Sequence, residues 1–194
     1  MKSFAFESVC PVAATLFFCL ILGPWVLVLR EKASPAAHDV SRLIAAGDIY
    51  FASRGRKVHL DQSLAAYRQA VLISPKNAAV RLKLARALLA LQPTDRAAQF
   101  NHAAEVIMLA HEALALGGGG RFILAESYCR MSMLAPDFKQ ASRWLDLAEF
   151  QADAAARFQG TDGSRDNFSA QIKALRERIA GLRLRIEKRR PSDP

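Results

Sequence analysis

The stretch Ser63–Asn77, SLAAYRQAVLISPKN, decides how the chain is expected to fold. Small and large side chains alternate along one helix face, because Tyr67 follows Ser63 by four residues and Ala70 follows Tyr67 by three. Pro75 then ends the helix, since proline has no N–H for the helical hydrogen bond. Nothing in the stretch is suited to catalysis. We interpret it as a helix whose role is to pack closely on other helices.

The composition of the 194-residue chain predicts an all-α fold with room for one domain and a tail. Alanine and leucine dominate, and β-branched residues are sparse outside the N-terminus, which favours helix over sheet. Cys10 and Cys19 lie in the apolar N-terminal run, so Cys129 stands alone in the rest. One thiol builds no disulfide framework, and cysteine content therefore does not identify the compartment.

The N-terminus predicts an uncleaved, single-pass transmembrane helix over residues 9–29. These 21 residues contain no Asp, Glu, Lys, Arg or His, and a helix of this length matches a hydrocarbon core of roughly 30 Å. A cleaved signal peptide would have a shorter apolar region, and REKASPAAH places charges where a small-residue cleavage site should begin. Residues 1–8 are then a short tail, and residues 30–38 a linker.

The anchor predicts attachment to the cell (inner) membrane. The sequence indicates less clearly on which side of that membrane the domain lies. Arg30, Lys32 and Arg42 follow the span and favour a cytoplasmic domain. Long domains, however, translocate largely regardless of such charges. A very short tail before an anchor commonly stays inside. We therefore favour the periplasmic or exoplasmic side and leave the cytoplasmic side open.

A matching helix precedes the quoted one, in RLIAAGDIYFASR, where Gly47 and Tyr50 lie three residues apart. The two helices together resemble one unit of the tetratricopeptide repeat family, with small residues, an aromatic and a terminating proline at the family's positions. The resemblance implies a row of antiparallel helix pairs. Gly47 precedes Ser63 by 16 residues where the family has about 12. The turn GRKVHLD, or the helix before it, is therefore expected to be one helical turn longer.

A second unit follows. NAAVRLKLARALLAL is expected to be its first helix, with Ala85 and Leu88 at the positions of Gly47 and Tyr50. Its second helix is expected to start after a cap at Thr94 or Asp95 and to run on to LAHEALALGGGG. The positions of Ser63, Tyr67 and Ala70 then fall on Ala97, Asn101 and Ala104.

A third unit consists of RFILAESYCRMSML and PDFKQASRWLDLAEF. Ala125 precedes Ala141 by 16 residues, which is the interval of the first unit. The prediction is three degenerate repeats over residues 39–159, with an ordinary alanine-rich bundle as the alternative. The third unit's packing residues are Ala125, Tyr128, Ala141, Leu145 and Ala148.

Residues 160–194 are expected to form a linker and a basic amphipathic helix. Between Ala170 and Arg190 there are eight Lys or Arg against two Glu, which would attract an acidic protein or anionic lipid. The apolar stripe has heptad spacing, but arginines at its flanks oppose a parallel homodimer. We therefore expect a monomer in which the stripe packs on the end of its own repeat array. The alternative is that the stripe packs on a partner helix with acidic flanks. The stripe is Phe168, Ile172, Leu175, Ile179, Leu182 and Ile186.

No arrangement of residues typical of a catalytic or metal site is found, so we predict no enzyme activity, no cofactor and no metal. The four histidines show no i,i+4 pair and no HExxH motif. The glycine-rich LGGGGR, Leu116–Arg121, precedes a helix, but no Lys-Ser or Lys-Thr follows it. A connector between repeats is the better interpretation than a phosphate-binding loop. Cys129 on an apolar helix is expected to be a small buried residue.

What the resemblance implies is protein binding along the first helices of the pairs. Some family members bind the terminal carboxylate of a peptide there with a set of lysine, asparagine and arginine residues. In this chain Ile44 stands where that set has a lysine and Asp48 where it has an asparagine, so this mode of binding is not expected. Lys83 and Arg86 occupy groove positions that would suit an acidic segment, or else a solvated basic face. Nucleic acid is not expected, because no aromatic residues are interspersed with the basic ones for base stacking.

The predicted function is therefore a membrane-anchored interaction scaffold or assembly factor. The alternative is a permanent accessory subunit of a larger membrane complex, whose helices are structural. Both follow from architecture alone, and architecture does not define a function.

Overall fold

The computed structural model describes residues 35–157 and 165–188, and every element in these two ranges is helical. The predicted all-α class is confirmed for this part of the chain. None of its helices is long and apolar enough to cross a membrane. The predicted tail, residues 1–8, and anchor, residues 9–29, lie outside the described ranges. The helices are α1 Pro35–Ala52, α2 Lys57–Ile73, α3 Ala78–Ala90, α4 Arg96–Ala115, α5 Arg121–Leu134, α6 Phe138–Arg157 and α7 Arg165–Glu187.

Two predicted boundaries are corrected by the structure. Helix α1 begins at Pro35, inside the predicted linker of residues 30–38. Proline suits a first helical position, because its φ is already helical and its missing N–H would have no partner there. Most of the expected turn GRKVHLD is also helical, since α2 begins at Lys57. The extra turn of the first unit is therefore the start of its second helix.

Side chains cap the starts of two helices in the second repeat. Asn77 accepts a hydrogen bond from the Val80 N–H at 3.3 Å, and Asp95 accepts one from the Ala98 N–H at 2.8 Å. Asp95, rather than Thr94, is thus the cap of α4. Each cap satisfies a backbone donor that the first turn of a helix leaves free.

The glycine run after α4 acts as a helix terminator. Gly117 has a positive φ of 78°, and the Gly118 N–H donates to the Ala113 carbonyl at 2.9 Å. The Gly117 N–H donates to the Leu114 carbonyl at 3.0 Å. These two bonds form the Schellman ending, which favours glycine because side chains rarely adopt positive φ. The sequence LGGGGR therefore connects the second repeat to the third.

The helices pack in chain order. Each helix from α2 onward contacts the next one as far as α7, and α3 also contacts α5, which in turn contacts α7. The first helices of successive pairs are thus neighbours, as in a helical-repeat array, and the arrangement fits an α-solenoid. One main hydrophobic core runs from Leu60 on α2 to Leu182 on α7. A smaller cluster joins Val40, Ala70 and Val80.

The small and aromatic positions of the first repeat lie against each other. The Tyr67 side chain is fully buried, and a Cβ built on Gly47 would lie only 2.7 Å from its Cδ1 atom. Ala70, also fully buried, packs with Val40 and Val80. Tyr50 lies at the end of α1 beside His59, with ring centroids 6.2 Å apart. Pro75 is exposed in the turn between α2 and α3.

The third pair of helices is joined by an aromatic contact. Tyr128 stacks on Trp144 with ring centroids 5.6 Å apart, which joins α5 to α6. The buried residues at the predicted packing positions of the second and third repeats are Ala85, Leu88, Ala125, Tyr128, Ala141, Leu145 and Ala148.

The register predicted for α4 is wrong. Ala97, Asn101 and Ala104 are exposed, because the first turns of this 20-residue helix project their outer face to solvent. The same 4,3 spacing recurs six residues later at Ala103, Ile107 and Ala110, of which both alanines are buried and Ile107 packs on the core. The asparagine is thus not in an aromatic position.

The apolar stripe of α7 faces the repeat array. Ile172, Leu175, Ile179 and Leu182 are buried, and Ile186 packs partly against the same core. Flanking arginines pair with acids on α6: Arg176 with Asp153 at 2.6 Å, and Arg183 with Asp146 and Glu149 at 2.9 and 2.8 Å. Two of the arginines that flank the stripe are thus neutralised within the chain.

Candidate functional site

A groove of about 510 Å³ runs along the first helices of the three pairs. Phe51 and Arg54 border it at the end of α1, and α7 closes its far side with Phe168 and Gln171. Ring packing between Phe122 on α5 and Phe168, at 5.9 Å between centroids, holds the start of α7 against this groove. The remaining lining residues are Arg86, Leu89 and Ala90 on α3, and Ile123, Glu126 and Arg130 on α5.

Three arginines, one from each pair of helices, line this groove, which we call the arginine groove. Arg54 lies 4.6 Å above the Phe51 ring and donates to the Phe51 carbonyl at 3.2 Å. Arg130 donates to the carbonyls of Leu89 and Leu91 at the end of α3, which fixes its guanidinium in place. Burial lowers the pKa of Arg130, but the group remains a cation at neutral pH.

Arg86 is the most available of the three cations. It is exposed, and no hydrogen bond or ion pair to it exists within the described ranges. Guanidinium groups recognise carboxylates through paired N–H donors. Within the described ranges, the groove therefore presents one guanidinium without a hydrogen bond between two that are hydrogen-bonded.

Among the described residues, Glu126 is the only acid that lines the arginine groove. Burial raises the pKa of its carboxyl above the ordinary value of 4.5, although the charges of Arg130, Arg178 and Arg86 act in the opposite direction. Three nearby guanidiniums thus share one carboxylate, and the groove has an excess of positive charge. Such a surface attracts anionic groups.

A second hollow of about 470 Å³ adjoins the arginine groove, and we call it the glycine-loop hollow. Its walls are the main chain of Gly117–Gly120 and mostly apolar side chains. The two hollows share the lining residues Arg86, Phe122, Ile123 and Phe168. The remaining lining residues are Leu82, Leu114, Arg121 and Ala155.

Lys83, which the sequence placed beside Arg86 as a binding residue, lies in an internal ion pair. Its Nζ atom is 2.6 and 2.8 Å from the two Asp48 carboxylate oxygens, and the Tyr67 hydroxyl donates to the same carboxylate at 2.6 Å. Partial burial alone would raise the pKa of Asp48, but these hydrogen bonds and the Lys83 charge outweigh it and lower the pKa. Lys83 thus ties α3 to α1 and lines neither hollow.

Two further residues with potentially reactive side chains, His111 and Cys129, lie at contacts between helices. His111 Nε2 lies 3.0 Å from the Tyr128 hydroxyl, between α4 and α5. Cys129 is fully buried, and burial raises the pKa of its thiol to about 11, which disfavours the reactive thiolate. Among the described residues no group of three or more His, Cys, Asp or Glu could hold a metal ion.

Sequence reasoning singled out Arg86 but missed Arg54, Glu126 and Arg130. Glu126 and Arg130 carried a usable signal: two opposite charges four residues apart on a mostly apolar helix. Arg54 carried none, because its place in the groove depends on how α1 ends.

Comparison of the chain with known protein-family models, curated proteins and solved structures finds no significant match.

Proposed function

We propose that this protein is an interaction scaffold or assembly factor that binds an acidic segment of a partner protein in the arginine groove. The observation that carries the proposal is that Arg54, Arg86 and Arg130, from three successive helix pairs, line one groove in which Glu126 is the single acid of the described part of the chain. An extended acidic segment would place carboxylates along these cations.

Electrostatic attraction would determine how such a complex forms and how it responds to salt. Charge complementarity increases the association rate and the specificity more than it increases the affinity, and salt screens it. Binding should therefore weaken as ionic strength rises. A monomeric chain held at a membrane by the predicted anchor would present the groove to partners in or near that membrane. We place the domain on the periplasmic or exoplasmic side of the cell (inner) membrane.

The proposed repeat architecture supports this function. Tetratricopeptide-like repeats commonly bind peptides along their first helices, and the three arginines lie on or next to those helices. The outer side of α7 is a second basic surface, since Lys173, Arg185 and Lys188 are exposed there. That surface would suit anionic lipid head groups.

Binding of a fluorescent aspartate- and glutamate-rich peptide to the full-length protein in detergent micelles tests the proposal. Arg86→Glu should weaken binding about tenfold or more, because it reverses one of the positive charges that line the groove. Arg143→Glu is the matched control: Arg143 is exposed on α6 and lines neither hollow. Equal affinity of the two variants for the peptide would contradict the proposal. Resistance of the protein to carbonate extraction tests the anchor separately.

A further inference from the structure

The backbone wall of the glycine-loop hollow packs closely on neighbouring helices. A Cβ at Gly118 would lie 2.7 Å from the Ala78 Cβ, and one at Gly120 would lie 3.0 Å from the Ala110 carbonyl oxygen. The loop therefore runs close to α3 and α4 at these two points. Gly119, between them, has nothing within 4 Å of its Cβ position. Within the described ranges, the loop therefore lines the hollow with main chain and carries no side chains.

The side chains around this hollow are suited to an apolar group. Leu82, Leu114, Phe122 and Phe168 come from four different helices or helix ends and are only partly buried. A volume of about 470 Å³ lies within the roughly 300–1,000 Å³ of typical ligand pockets. Burying a large apolar side chain here would remove further apolar surface from water.

Arg86 lies where the two hollows meet, since it lines both. A ligand carboxylate paired with Arg86 is therefore next to the apolar walls. An acidic segment that fills only the arginine groove would leave Leu82 and Leu114 exposed to water.

We propose that the partner segment is bipartite: an acidic residue pairs with Arg86, and a bulky apolar side chain close to it in sequence enters the glycine-loop hollow. This inference rests on the proposed function, because it names the ligand class of the same site. The charged part provides attraction, and the apolar part selects among acidic segments. A purely acidic segment is then a weak ligand.

Two labelled peptides of equal charge test the inference, one with a leucine beside its acidic residues and one with alanine in that place. We expect the full-length protein in detergent micelles to bind the leucine peptide about tenfold more tightly, as burial of a large apolar side chain implies. Equal affinities would overturn the bipartite ligand and leave the proposed function standing. Binding of neither peptide would overturn both.

A hollow-filling variant tests where the apolar side chain lies. Gly119→Leu adds a side chain at the wall of the hollow, where a Cβ has no atom within 4 Å, and should abolish the preference for the leucine peptide over the alanine peptide. Gly181→Leu is the matched control, because Gly181 on α7 also has nothing within 4 Å of its Cβ position and lines neither hollow. A preference that survives Gly119→Leu would overturn the assignment to this hollow.

Discussion

The ring of Tyr67 on α2 occupies the space that a side chain at position 47 of α1 would need. A Cβ at Gly47 would lie 2.7 Å from Cδ1 and 2.9 Å from Cζ of that ring. The Tyr67 hydroxyl also donates to the neighbouring Asp48 at 2.6 Å. The first repeat is therefore fixed by one close contact and one hydrogen bond between the same two helices.

Gly47→Ala should destabilise the protein by about 1–3 kcal/mol, because the buried Tyr67 ring has no room to move aside. Denaturant unfolding followed by circular dichroism measures the change. Gly181→Ala is the control, since it adds the same methyl group in open space on a helix. There alanine should stabilise by up to about 1 kcal/mol. Similar effects at the two positions would show that the contact does not constrain packing.

Asp48→Asn should reduce stability at neutral pH, because the lowered pKa of Asp48 means that the fold favours its carboxylate. This stabilisation is present above the ordinary value of 3.8 and is lost as the pH falls through the lowered folded-state pKa. The unfolding free energies of the variant and the wild type should therefore converge in acid. Asp61→Asn, at an exposed position of α2, should show no such convergence. A constant difference across pH would contradict the role of the Asp48 carboxylate.

Glu126→Gln should stabilise the protein at neutral pH. Burial raises the pKa of Glu126, so the fold favours the protonated form and loses stability as the pH rises above the ordinary value of 4.5. The uncharged amide of the variant avoids the cost of burying a carboxylate. The difference in unfolding free energy between the variant and the wild type should disappear below about pH 4, where the Glu126 carboxyl is protonated in both the folded and the unfolded state. Thermal unfolding across pH measures it, with Glu177→Gln on the exposed side of α7 as control. Destabilisation by Glu126→Gln at neutral pH would show that the arginines dominate the Glu126 environment.

Ile179→Asp should cost several kcal/mol, because it buries an unpaired charge in the contact between α7 and the repeats. Leu184→Asp on the same helix should cost little, since Leu184 is 61% exposed. Thermal unfolding and sedimentation of the full-length protein in detergent measure stability and oligomeric state together. A stable dimer that Ile179→Asp dissociates would show that α7 pairs with a second copy instead.

The helical class and much of the packing were predictable because they depend on local periodicity. Ala70 and Ala148 recur at helical spacing, and both are fully buried. The register of α4 was not predictable, because alanines at residues 97, 103, 104 and 110 offer two sets with similar spacing. Only the long-range packing of α4 on α3 and α5 chooses between them.

The site was less accessible to sequence reasoning than the fold. Arg86 was recognised from its helix position, but Lys83 from the same helix is bound to Asp48, 35 residues away. Arg130 is fixed by carbonyls of a different helix. Contacts between helices thus determine which basic side chains are paired within the chain. A local sequence pattern does not predict these contacts.

Photo-cross-linking of an acidic peptide to the full-length protein tests the central claim most directly, because it shows where the peptide binds. The peptide carries a photoreactive group beside its glutamates, and mass spectrometry identifies the modified residues. We predict cross-links to α3 and α5 around Arg86 and Phe122, and their loss in Arg86→Glu. Cross-links confined to the outer side of α7, around Lys173 and Lys188, would contradict binding in the arginine groove.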